Sequence, residues 1–419
     1  MLFFCFSPIF LAVNALYIYE VCKWIDTLEV INRKLRKGFK IIFGIIWSIC
    51  SVAIFGAFLI PYSVSLEGNP FLFKLRRILK QIGNYHLGVF IYTGMLFIII
   101  FILRLFDRIV ISLSKENTDI KELLNMRARK IRRAVFGIIN IGIIVFITLW
   151  GVHNAKNIKV KNYDITVNKK VDNVDELKVV LAADLHMGYN IGCEQIGRMV
   201  ELINNENADL VVIAGDIFDN EYEALDDPDN LCALLGSIKS KYGIYAVYGN
   251  HDVSEKIIGG FTFNWDEAKE SDPRMDKLLE DANIKLLYDD FVTVCDDSLY
   301  LYGRPDYEKP GRGMTDRLSA DEITAQLDLS KPVIVLDHEP NQLDELSRAG
   351  VDILLCGHTH DGQFFPMNLS SRYFTWENSA GLLKKDNMTN IVTSGVGVYG
   401  PNIRIGTDAE ICSITVHFE

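Results

Sequence analysis

Four apolar stretches, at roughly residues 2–22, 39–61, 86–103 and 134–152, constrain this chain before anything else does. Each is near the length at which an α-helix crosses the hydrocarbon core of a bilayer, and no comparable run follows. The expected organisation is a membrane region with four transmembrane helices over 1–152 and a separate domain over 153–419. Charge divides at the same place: 19 Lys+Arg stand against 8 Asp+Glu up to residue 152, and 24 against 46 after it. A domain this acidic is poorly suited to a polyanion, so no nucleic acid is expected as a partner.

Loop charges orient the helices. Lys23, Arg33, Lys34, Arg36, Lys37 and Lys40 surround the first loop, and the third holds nine basic residues, including RARKIRR at 127–133. The middle loop has only Lys74, Arg76, Arg77 and Lys80. The positive-inside bias therefore puts the first and third loops in the cytoplasm and the acidic domain outside it. The first stretch contains Asn14 and Glu20 but has no Lys or Arg before it, so it reads as a retained span rather than a cleaved signal. Segments 71–80 and 118–133 mix apolar and basic residues at helical spacing, which suits an interface-lying helix and a solvated linker equally. Asn140, in the fourth stretch, reads as an interhelix hydrogen bond. The eight cysteines form no C-x-x-C pair, and the five in the acidic domain (Cys193, Cys232, Cys295, Cys356, Cys412) read as buried thiols rather than a disulfide set.

From Asn157 the pattern changes. IKVKNYDITV (158–167) alternates like a half-exposed strand. LKVVLAADLH, LVVIAGD, IYAVYGNHD, PVIVLDHEP and DILLCGHTH follow, each an apolar run of strand length that ends abruptly in polar residues. Helical patterns near 193–206, 227–240, 274–282, 320–327 and 341–348 lie between them. Strands alternating with helices indicate a layered α/β domain whose polar strand ends gather on one edge.

Those strand ends carry the chemistry. In GHTH, His358 and His360 are two apart, so in extended chain both imidazoles face one side. A lone H-x-H is more often one core histidine and one exposed. Here it is joined by Asp184 and His186, Asp216, Asn250 and His251, and His338, all at strand exits and all with oxygen or nitrogen donors that divalent metals accept. Asp252 follows His251 closely enough to orient its ring and raise its pKa, as protonation of a leaving alkoxide requires. Asp219 suits either a place behind the metal ligands or a helix cap.

The series D-x-H, G-D-x-x-D, G-N-H-D, H and G-H-x-H resembles the calcineurin-like metallophosphoesterases over about residues 155–419. The resemblance implies an α/β fold, a four-layer αββα sandwich of two sheets flanked by helices, preceded here by the four-helix transmembrane region. It implies two divalent metal ions (Mn, Fe or Zn), one held by Asp184, His186, Asp216 and His360 and the other by Asp216, Asn250, His338 and His358, with Asp216 bridging. It makes His251 a general acid or transition-state stabiliser. Arg404, in GPNIRIG, would contact substrate phosphate or serve as a structural ion pair.

The four-span preface is similar to that of a membrane-anchored branch acting on lipid and cell-envelope phosphodiesters. A phosphodiesterase working outside the cytoplasm on a lipid-linked substrate, with the lipid bilayer as a partner, is thus the leading expectation. One departure stands out: members of that branch often read G-H-T-H-G-G-Q, and here Asp361 occupies the first glycine slot. Two rivals remain: a catalytically silent metal-binding scaffold or sensor, and a phosphoesterase for soluble nucleotides or phosphoproteins.

Overall fold

The computed structural model describes all residues except 1, 61–63, 65–67, 114–118, 255–256, 259–260, 263–269 and 315; side chains at 2–6, 107–108, 110–113, 119–130, 257–258 and 261–262 are likewise outside the description. The chain forms two compact units, Met1–Trp150 and Gly151–Glu419.

Unit 1 is built from α1 (Leu2–Ile25), α2 (Arg33–Leu59), α3 (Pro70–Leu113) and most of α4 (Asp119–Lys156). All four are long and apolar enough to cross a membrane. Segment 71–80 is continuous with the third span inside the 44-residue α3, and side chains through 130 of segment 118–133 lie outside the described residues. The polar hub is Asn14 of α1. Its Oδ1 accepts from Trp47 Nε1 at 2.8 Å and Ser51 Oγ at 2.9 Å on α2, and lies 3.1 Å from His86 Nε2 on α3. Asn140, expected in that role, has no interhelix hydrogen bond among the described residues; an amide binds helices only where neighbours approach it.

Unit 2 contains β1 (Ile158–Val167), β2 (Glu176–Ala182), α5 (Cys193–Asn205), β3 (Leu210–Ala214), α6 (Pro228–Gly236), β4 (Ile244–Val247), the short β5 (Ile257–Ile258) and β6 (Phe261–Thr262), α7 (Pro273–Asp281), β7 (Ile284–Leu286), β8 (Asp290–Val294), β9 (Leu299–Gly303), α8 (Ala320–Thr324), β10 (Val333–Leu336), α9 (Leu343–Ala349), β11 (Ile353–Cys356), α10 (Met367–Ser370), β12 (Gly381–Lys385), β13 (Met388–Val392) and β14 (Ala409–Phe418). They make two six-stranded sheets, ordered β1-β14-β2-β3-β4-β7 and β12-β13-β11-β10-β9-β8. β2, β3 and β4 run parallel in the first, β9, β10, β11 and β13 in the second.

Alternation along the strands produces the layers. Leu210, Val212 and Ala214 of β3 face inward and pack with Ile334 and Leu336 of β10 and Leu355 of β11 between the sheets. Val211 and Ile213 face outward onto Ile196 and Met199 of α5 and Leu231 of α6. Val333 and Val335 of β10 cover Ile323 of α8 and Leu346 of α9 on the opposite side. Both faces of these strands are therefore buried, as their continuous apolar runs require, and the result is the four-layer αββα sandwich. The five domain cysteines are free thiols, with Cys295, Cys356 and Cys412 buried and Cys193 and Cys232 partly so.

Candidate metal centre

Parallel β2, β3, β4, β10 and β11 all release the chain at one edge, and the seven candidate ligands sit on the turns just beyond. Asp184, His186, Asp216, His358 and His360 have φ between 47° and 71°, the left-handed region that L-residues avoid. Each turn thus breaks sharply from its strand and aims a side chain back at the edge. Glycines make room: a Cβ on Gly357 would lie 2.5 Å from Ala183 Cβ and 2.8 Å from Asp184 Oδ2.

Two groups of donor atoms converge. His186 Nε2 and His360 Nε2 are 3.0 Å apart, with Asp184 Oδ1 3.6 Å from the latter. Asn250 Oδ1 is 3.1 Å from both His338 Nε2 and His358 Nδ1, and those two nitrogens are 3.2 Å apart. Asp216 lies between the groups, its Oδ2 3.3 Å from His338 Nε2 and 3.6 Å from His186 Nε2. Five of these side chains are buried, whereas Asn250 and His358 are partly exposed and mark the open side.

Hydrogen bonds fix which atoms point inward. His338 Nδ1 lies 2.8 Å from the Ala214 carbonyl, which can only accept, so Nδ1 carries the proton and Nε2 is left as a donor atom for a cation. The His358 amide donates to both Asp184 oxygens, and the His251 amide to Asp216 Oδ1. Burial pushes the Asp216 carboxyl up, but His338, His251 and His186 outweigh it and hold the group well below the usual range. Burial pulls His358 down to about 3 and, with His186 and Arg404, pulls His360 well down. Imidazole nitrogens, an amide oxygen and carboxylate oxygens facing one another at hydrogen-bond distance are the donor set of a divalent cation pair, and the residues fit one.

The neighbours differ from expectation in three places. Asp252 does not orient His251: its carboxylate accepts from the backbone amides of Ile217, Phe218 and Gly249, at 3.2, 2.7 and 2.7 Å, and so ties two strand-exit loops together. The ring is held instead by Asn220, whose Oδ1 lies 2.6 Å from His251 Nδ1. Burial lowers the His251 pKa to about 4 rather than raising it.

Arg404 is fully buried. It donates to the carbonyls of Ser394, Gly397 and Asp408 and lies 3.1 Å from His360 Nδ1, packed behind the ring. Asp361 fills that glycine slot with a paired carboxylate. It is buried, accepts from Arg372 Nε at 2.8 Å and Nη2, and from Ser379 Oγ at 3.1 Å. Asp219, the open case, has Oδ1 3.8 Å from His186 Nδ1 and is not the N-cap of any described helix.

Reading the sequence alone missed Asn220, although it directly follows Asp219. It also missed Trp376 and Tyr399, whose rings lie 5.2 Å from His358 and 4.8 Å from His360.

An αββα sandwich with clustered Asp, Asn and His at one strand edge defines a metallophosphoesterase domain. Residues 177–362 match the family described as calcineurin-like phosphoesterase. A transmembrane protein with metallophosphoesterase domain from Danio rerio is 30% identical over 278 residues, covering 63% of this chain and 59% of its own length. The Bos taurus protein of the same description is 28% identical, covering 61% and 56%. An uncharacterised metallophosphoesterase of Helicobacter pylori (strain ATCC 700392 / 26695) is 30% identical, covering 58% and 60%. The chain thus spans less than two thirds of each of these relatives.

Proposed function

We propose that the chain is a membrane-anchored phosphoesterase with two divalent cations, one held by Asp184, His186, Asp216 and His360 and the other by Asp216, Asn250, His338 and His358. The observation that carries this reading is the convergence of donor atoms at 3.0–3.6 Å around a shared Asp216. Such cations, Mn, Fe or Zn, supply Lewis acidity to phosphoryl oxygens and activate water for in-line attack. The chain's own residues orient and balance charge. Asn250 contributes a neutral oxygen on the open side, and His251, with Nδ1–H donated to Asn220, would act on the leaving-group oxygen from Nε2 in its doubly protonated form.

The substrate we assign is a phosphodiester with a lipid or envelope-polymer part, and the domain lies outside the cytoplasm. Supporting this are the four helices that tether the domain, the basic first and third loops, and the acidic composition after residue 152. The complete donor set and an oriented His251 favour catalysis over a silent scaffold. Purified full-length chain with Mn²⁺ should cleave bis-p-nitrophenyl phosphate, and Asp216→Ala and His251→Ala should each lose most turnover; equal turnover in all three would refute the mechanism. A reporter active only outside the cytoplasm, fused after Glu419, should be active; silence there, with a cytoplasmic reporter active, would reverse the topology.

A further inference from the structure

The segment just beyond the GHTH turn is unusual for a surface bathed in water. Phe365, Met367, Leu369, Tyr373 and Phe374 all project large apolar side chains into solvent, with Tyr373 73% and Phe374 86% exposed. They fall within ten residues, Phe365 just before α10 and the rest on α10 and the helical turn that continues it, and no other stretch of unit 2 exposes so many among the described residues. So many exposed large apolar side chains within one short segment point to an occupant.

Its place in the fold says which one. Phe365 donates its amide to Ile405 O at 2.8 Å, and the adjacent Arg404 amide donates to Gly151 O at 2.9 Å. Gly151 is where the chain enters unit 2 from the last apolar helix, whose 131–156 stretch is long and apolar enough to cross a membrane. Trp150, the preceding residue, is an exposed aromatic of the type that settles at the lipid–water boundary. The patch is therefore two backbone hydrogen bonds from the point at which unit 2 is tethered to the bilayer. At its other end, Trp376 lies against His358 on the open side of the metal centre.

We propose that residues 365–374 seat in the lipid–water interface of the bilayer that the chain's own helices enter, with Phe374 and Tyr373 among the acyl chains and headgroups. Aromatic and aliphatic side chains on a short helical element favour that position. A lipid-linked phosphoester then reaches His358 along Trp376 without leaving the membrane surface; this second step rests on the phosphoesterase reading, whereas membrane contact does not.

The test uses the full chain reconstituted into vesicles of phosphatidylethanolamine and phosphatidylglycerol, with p-benzoylphenylalanine replacing Phe374, Tyr373 or, as a control, Leu329. Leu329 is exposed and apolar but precedes β10, at the edge opposite the metal centre. After irradiation, intact-mass measurement should show a phospholipid adduct at 374 and 373, several-fold above that at 329. Equal adducts at all three positions, no lipid adduct at 374 and 373, or cross-links there to a second copy of the chain would each overturn the proposal. None of these readouts needs turnover, so an inactive enzyme with lipid adducts would fail the phosphoesterase reading and leave membrane contact standing.

Discussion

The guanidinium of Arg404 stands 3.1 Å from Nδ1 of His360, on the side of the ring turned away from Asp184. An arginine there holds the His360 ring and three loop carbonyls at once, because its other hydrogens go to Ser394, Gly397 and Asp408. Arg404→Met should lower unfolding free energy by about 3 kcal/mol or more, since each buried carbonyl left unpaired costs roughly 1–3 kcal/mol. Denaturant unfolding of the purified chain measures this. A raised KM with unchanged stability would instead return Arg404 to a substrate-binding role.

Asn220 should behave as a positioning residue for His251. Asn220→Ala removes the acceptor at 2.6 Å and frees the ring, so kcat on bis-p-nitrophenyl phosphate should fall about 10–100-fold, as for other groups that orient functional side chains. KM and metal content should stay close to wild type. A loss of bound metal in parallel with kcat would place Asn220 in the structure of the metal centre instead.

Asp252 should matter for stability even without substrate. Asp252→Ala leaves the amides of Ile217, Phe218 and Gly249 buried without an acceptor, and at roughly 1–3 kcal/mol each the variant should unfold at markedly lower denaturant. Asp252→Asn keeps one acceptor oxygen and should lose less. Equal stability of Asp252→Ala and wild type would count against this account.

Metal removal should soften unit 2. Stripping with a chelator leaves His186 facing His360, and His338 facing His358, with nothing between their nitrogens. Readdition of Mn²⁺ to about 100 times its dissociation constant should restore about 2.7 kcal/mol per site. A melting temperature indifferent to chelator and to Mn²⁺ would argue that the centre holds no cation.

In unit 1, Asn14→Leu should weaken the packing of α1 on α2 and α3 by about 0.6–2 kcal/mol, the range for interhelix hydrogen bonds in membranes. Unfolding of the full chain in detergent or bicelles reports it, and Asn140→Leu, with no such bond among the described residues, serves as the comparison.

Much of this was legible in the sequence because it is local. An apolar run that ends in Asp-Leu-His or Gly-His-Thr-His specifies both the strand and the donors at its exit, although His358 and His360 sit in left-handed turns rather than the extended chain their spacing suggested, and they join different donor groups. Nothing local, however, says that Arg404 would back His360, that Asp361 would turn to Arg372, or that Asn220 would take the His251 ring from Asp252. Those are contacts between segments far apart in the chain, decided by how the turns fold over one another. In unit 1, apolar length announced the spans, but which asparagine would bind them depended on what α2 brought opposite Asn14.

The left-handed turns at Asp184, His186, Asp216, His358 and His360 have a practical consequence. Alanine there would remove the donor yet leave the backbone where a Cβ-bearing residue without a local hydrogen bond is least at ease, so an alanine variant confounds lost chemistry with a loosened corner. Asparagine tolerates that region far better. Trapping a bound substrate on an inactive enzyme is therefore best attempted with Asp184→Asn or His360→Asn, which should keep the shape of the cradle while silencing it.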